Sequence, residues 1–193
     1  IKADGTTIGT HQSGTITPFA SRKNLSDTDL NNTFQVGYNA ALDTPITSLQ
    51  TGNWNDAATW SSNSVPGCGD TVTILSGHTI TVNSVGSAAG VNIASGATLI
   101  NNSSALTVGC TNNNATFFNG GTYTINGGSL IVNGNVLHGN GSTFNQTAGD
   151  IIVDGNNNGD AVTSIDQTLF KIGNSTLNLT GGKITIVDPA VSS

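Results

Sequence analysis

The stretch Thr122-Tyr-Thr-Ile-Asn-Gly-Gly-Ser-Leu-Ile-Val132 returns 21 residues later as Thr143-Phe-Asn-Gln-Thr-Ala-Gly-Asp-Ile-Ile-Val153. It returns again after 33 residues as Thr176-Leu-Asn-Leu-Thr-Gly-Gly-Lys-Ile-Thr-Ile186. Each copy reads as a short strand, a corner of small residues and a second short strand. Gly-Gly and Ala-Gly suit the corner, because a tight bend needs positive φ or close backbone approach. The 21-residue step fits one coil of a β-solenoid, and the surplus of the longer step falls in the loop Asp154 to Gln167. A weaker copy, Ala97-Thr-Leu-Ile followed by Ala105-Leu-Thr-Val, extends the series upstream. A lone coil cannot bury its apolar face, whereas stacked coils share a continuous interior. The expected fold is therefore all-β, a right-handed parallel β-helix (β-solenoid) with an N-terminal cap or arm. A β-sandwich built from hairpins is the rival, and it predicts less strict recurrence of one unit.

Outside the repeat, Thr71-Val-Thr-Ile and Thr79-Ile-Thr-Val alternate polar with apolar in the same way. Successive strand side chains face opposite sides, so Val72, Ile74, Ile80, Val82, Leu106, Val108, Ile184 and Ile186 are expected to point inward. Composition agrees. Only 8% of the 193 residues are charged, against about 25% in an ordinary soluble domain. The chain has eleven Asp, no Glu, four Lys and one Arg, for a net charge of −6. Good helix formers are scarce while Thr, Val, Ile and Asn abound. Regular apolar runs at low charge also argue against intrinsic disorder.

The same numbers exclude some functions. Five basic residues cannot neutralise a run of phosphates, so nucleic acid is not an expected partner. No apolar stretch approaches the length of a membrane-spanning helix, and no membrane insertion is expected. Ile1 is no initiator, so a signal segment is expected to have been removed. Residues 1–50 hold three of the five basic residues and little alternation beyond two short candidate strands, around Thr15 to Phe19 and Phe34 to Tyr38. They read as an N-terminal arm, a cap or the end of a preceding module, with residues 51–193 as the solenoid domain.

Residues 52 to 82 run Gly-Asn-Trp-Asn-Asp-Ala-Ala-Thr-Trp-Ser-Ser-Asn-Ser-Val-Pro-Gly-Cys-Gly-Asp-Thr-Val-Thr-Ile-Leu-Ser-Gly-His-Thr-Ile-Thr-Val. This opening resembles repeat modules of large secreted surface proteins and adhesins of Bacteroidetes, many exported by the type IX system. It is also similar to the G8 domain, which shares a Trp, Val-Pro, Gly-Asp, Val-x-Ile and a hydrophobic strand. The resemblance implies a parallel β-helix on a surface protein. A type IX sorting domain is missing, which implies a fragment or another export route. The motif also makes sense without a ligand: Trp54 and Trp60 offer large apolar area to cover the open end of the coil stack. Pro66 lies in the turn Val65-Pro66-Gly67, and Asp70 is placed to bond local backbone before the first strand. A capped end matters because bare strand edges invite polymerisation.

Asp154, Asn156, Asn158 and Asp160 alternate around Gly159 like the start of a calcium loop, where hard oxygens wrap Ca²⁺. The twelfth position is Ile165 rather than a bidentate Glu, with Asp166 as the substitute. A solvated Asn/Gly loop is the plain alternative. Cys68 and Cys110 form no metal motif; they are either one disulfide in an oxidising compartment or two buried thiols. His11, His78 and His138 lack partners at ligand spacing and are expected to be exposed or hydrogen-bonded surface imidazoles. Acid–base catalysis on sugars needs clustered carboxylates, and Asp150 and Asp154 would meet Asp70 or Asp166 only if coils align. No enzymatic activity is expected. Thr-x-Thr pairs suggest a flat ice-binding face, although the pairs do not recur in every coil.

The expected role is an extracellular structural or adhesive module, a subunit or segment of a cell-surface fibre or adhesin. Its partners would be copies of itself, with residues 1–50 adding a strand to a neighbour's edge, or surface glycans. A carbohydrate-binding β-helix module is the second reading, and it would expose Trp54, Trp60, Tyr123 or Phe144.

Overall fold

The computed structural model describes residues 45–110, 115–153 and 170–187, and the backbone of Thr10–Gln12 and Ser21–Lys23. The chain divides into two compact units, Ile1–Leu42 and Asp43–Ser193. In the first, β1 (Thr10–Gln12) and β2 (Ser21–Lys23) pair antiparallel.

The second unit is a parallel β-helix of six described coils, each turning through up to three sheets. The first coil holds β3 (Ile46–Thr47), β4 (Gly52–Asn53) and a short 3-10 turn, Ala57–Thr59. It therefore takes in residues that the sequence pattern groups with the N-terminal segment. Next come β5 (Thr71–Ile74), β6 (Thr79–Val82) and β7 (Gly86–Ala88), then β8 (Gly90–Ile93), β9 (Thr98–Asn101) and β10 (Ala105–Val108). The fourth coil is β11 (Ala115–Asn119), β12 (Thr122–Ile125) and β13 (Ser129–Val132); the fifth is β14 (Gly134–His138), β15 (Thr143–Gln146) and β16 (Asp150–Val153). The last is β17 (Phe170–Ile172), β18 (Thr176–Leu179) and β19 (Lys183–Ile186). The first sheet stacks β3-β5-β8-β11-β14-β17, the second β4-β6-β9-β12-β15-β18, and the third β7-β10-β13-β16-β19.

Register follows the repeat. Thr122 lies opposite Thr143 and Thr143 opposite Thr176, while Ser129, Asp150 and Lys183 line up on the third sheet. The longer step leaves this pairing intact because its surplus lies between β16 and β17. The second corner glycine is equivalent in all three copies, and Gly128, Gly149 and Gly182 have φ of 67°, 77° and 82°. At Gly128 a side chain would also run into the Ser104 backbone of the preceding coil.

Inward parity holds through the body of the stack: Val72, Ile74, Ile80, Val82, Leu106 and Val108 are fully buried. Aromatic rings continue the column, with Phe117 edge-on to Tyr123 at 4.9 Å and Tyr123 stacked on Phe144 at 5.9 Å. Burying each such side chain stabilises the fold by roughly 2–3 kcal/mol. The last coil departs from the expectation. Ile184 is only partly buried and Ile186 is 55% exposed, because no described strand stacks beyond β19.

The interior also holds polar groups. Asn101 donates to Ser129 O at 2.9 Å, Asn119 to Thr143 O at 2.9 Å and Asn133 to Gly109 O at 2.7 Å. Gln146 reaches Gly149 O and Lys183 O at 3.0 and 3.2 Å. Each amide caps a corner carbonyl, most of them in an adjacent coil, and a bare buried carbonyl would cost about 1–3 kcal/mol. These side chains tie coil to coil at the bends, where the sheet ladder stops.

Candidate functional site

The two ends of the stack differ. At the N-terminal end the chain folds back over its first coil. Leu49 N–H donates to Thr59 O at 2.8 Å and Ser61 N–H to Thr47 O at 2.9 Å, so Thr59–Ser61 shields the edge of β3 by an antiparallel bridge. The 3-10 turn that delivers this segment is fixed by Asp56, whose carboxylate accepts from Ala58 N–H at 3.0 Å. Trp54 and Trp60 are fully buried, edge-to-face at 5.1 Å, and Trp60 Nε1 donates to Trp54 O at 2.7 Å. Trp54 N–H continues the β4–β6 ladder to Thr81 O at 2.9 Å, and its ring presses so close to Gly86 of β7 that a Cβ there would fall 2.8 Å from it. Pro66 is buried. Asp70 accepts from Gly67 N–H at 2.8 Å, closing the turn before β5.

Just beside that turn, Cys68 and Cys110 are joined in a disulfide. It staples the entry to β5 in the second coil to the exit from β10 in the third, adding a covalent tie where the ladder has only hydrogen bonds.

Among the described residues, the last coil (β17, β18 and β19) has no strand stacked on its outer side. Leu177 and Leu179, on inward parity with Phe144 and Gln146, are 42% and 47% exposed. Ile172 and Ile186 extend the same apolar rim. Two lysines, Lys171 and Lys183, belong to these last strands.

Trp54, Trp60, Tyr123 and Phe144 are all fully buried, so none forms an exposed platform for a sugar ring; they are core residues of the coil stack. Asp70 precedes β5 on the first sheet, whereas Asp150 opens β16 on the third, so the coils do not bring these two carboxylates together. Asp154, Asn156, Asn158, Asp160 and Asp166, the expected calcium loop, lie outside the described residues. Among the described residues no three His, Cys, Asp or Glu side chains gather as a metal site.

The histidines split. His78 matches expectation, with Nδ1 sharing a 2.8 Å hydrogen bond with Ser48 Oγ, which itself accepts from Leu75 N–H. His138 does not. It is buried, stacked on Phe144 at 4.4 Å, with Nδ1 facing Asn119 Nδ2 at 3.1 Å. Its Nε2 has no partner, and burial pushes its pKa down to about 4. Burial likewise pushes the Tyr123 phenol up. The signal for His138 was its parity: it sits two residues after the inward Val136.

Three parallel sheets stacked coil upon coil define a β-solenoid protein. Comparison with protein-family models, curated proteins and solved structures finds no match for the chain.

Proposed function

We propose that the chain is an extracellular structural or adhesive module that assembles end to end with copies of itself in a surface fibre or adhesin. The observation that carries this reading is the asymmetry of the stack. One end is folded over by Thr59–Ser61, and among the described residues the last coil presents three unpaired strand edges and an apolar rim of Ile172, Leu177, Leu179 and Ile186. Exposed edges of this kind template strand addition. With its own first coil covered, the module meets a neighbour through the N-terminal segment, which lays a strand on the open edge of the next copy. Such a contact joins unlike surfaces and propagates rather than closing on itself. The disulfide suits an oxidising compartment outside the cell, and the likeness of residues 52–82 to secreted surface modules points the same way. Few charges need desolvation where such rods pack side by side.

Electron microscopy of the purified full chain tests this: ordered filaments are expected, and dispersed single rods at every concentration contradict it. Leu179→Lys, which charges the open rim without entering the packed core, should dissolve the filaments, and so should removal of residues 1–42.

A further inference from the structure

The three outer faces of the β-helix are not alike. On the second sheet, register places Thr79, Thr98, Thr122, Thr143 and Thr176 in one column across five successive coils. Thr51 continues it into the first coil, its Oγ1 accepting from Thr79 N–H at 3.0 Å. The neighbouring outward column is Asn53, Thr81, Ile100, Thr124, Asn145 and Asn178. The Thr-x-Thr pairs that looked sporadic in sequence are thus part of a column with a threonine in every coil.

These two columns carry no charge and no aromatic ring. The first sheet, by contrast, presents Phe118, Leu137 and Lys171 outward, and the third pairs Asp150 with Lys183. A preference for threonine in strands acts on all three sheets equally and does not account for one unbroken column. The array is also stiff. Asn145 Nδ2 donates to Thr124 Oγ1 at 3.1 Å and Asn178 Nδ2 to Asn145 Oδ1 at 2.7 Å, which fixes the second column. Along this column Thr79, Thr98, Thr122 and Thr143 are half-buried and Thr176 is exposed, so the threonines lie at the solvent boundary.

Adjacent coils set these hydroxyls about 4.7–4.9 Å apart, and the two columns lie about 6.6 Å apart along each strand. The first spacing is close to the repeat of oxygen positions along a principal axis of hexagonal ice. We propose that the outer face of the second sheet is an ice-binding surface. Regularly placed hydroxyls and methyls hold water in a lattice-like layer that merges with the crystal. Charged groups would instead keep their own hydration shells, and none interrupts the columns. A flat polysaccharide is the other ordered hydroxyl surface, but rings on which sugars stack are missing from these columns. The inference does not depend on the end-to-end assembly proposed above.

Freezing-point hysteresis and ice-crystal shaping of the full chain provide the test, with Thr122→Tyr and Thr143→Lys on the face and Ser129→Lys on the third sheet as control. Thermal unfolding of each variant establishes that it is folded, and two face variants of different size guard against loss of one. The expected result is faceted crystals and measurable hysteresis, mostly lost in either folded face variant and kept in the control. Absence of shaping and hysteresis in the unaltered chain overturns the proposal, as does equal activity in the face variants. Retention on crystalline cellulose that Thr143→Lys abolishes, without any effect on ice, overturns it in favour of a polysaccharide surface.

Discussion

Replacing Cys68 and Cys110 together by Ser opens the one covalent tie between coils. The two residues are 42 apart in sequence, and cross-linking a loop of that length removes denatured-state entropy worth about 4 kcal/mol at room temperature. The native side of the balance changes little, because the two Cα atoms lie 5.4 Å apart on segments already held by the ladder. Ala89 N–H bonds to Asp70 O at 2.8 Å and Gly109 N–H to Ala88 O at 2.8 Å, so both anchor points keep their backbone partners. Equilibrium urea unfolding at neutral pH reads the loss. With a slope of about 2 kcal/mol per molar urea, the midpoint should fall by about 2 M, and a reducing agent should produce the same fall in the unaltered chain. A change below about 0.5 M would refute the reasoning, because the cross-link would then constrain a denatured chain that is already compact at that point.

Four further outcomes follow from the packing. His138 binds its proton near pH 4 in the fold and near its ordinary 6.5 when unfolded, so acid protonates the unfolded chain first. Its contribution is intact above about pH 6.5 and is lost as pH falls towards 4, about 3 kcal/mol in all; His138→Gln should flatten that part of a stability-against-pH curve. Phe144→Ala removes a ring held between Tyr123 and His138, and calorimetry should show a loss of about 3–5 kcal/mol. Gly128→Ala forces a side chain into the Ser104 backbone at positive φ and should lower stability by more than about 2 kcal/mol in the same measurement. Tryptophan emission should be blue-shifted and indifferent to added glycans, since Trp54 and Trp60 are both fully buried.

Much of this architecture was legible because a coil imposes two constraints on sequence at once. Strand alternation fixed the inward face, and the return of Thr-x-x-x, a small corner and a second strand fixed the register of Thr122, Thr143 and Thr176. The end effect was not legible, since Ile186 carries the same pattern as Val153 and differs only in that no described coil stacks on it. The interior polar groups were missed for another reason. Asn101, Asn119, His138 and Gln146 each follow an inward residue by two and share its parity, yet in a chain rich in Asn a polar letter carries little signal. The three amides are satisfied largely by carbonyls of adjacent coils, and His138 by Asn119 of the coil before it, partners that only the three-dimensional stack supplies. The two tryptophans were legible as large apolar area, but their seating against Gly86 was not, because that contact joins residues with no pattern in common.

Sedimentation velocity of the full chain at increasing concentration, alongside Leu179→Lys, tests the end-to-end account most directly. The account predicts species that lengthen with concentration in the unaltered chain and a folded monomer throughout in the variant. A single sedimentation coefficient shared by both at every concentration would contradict it.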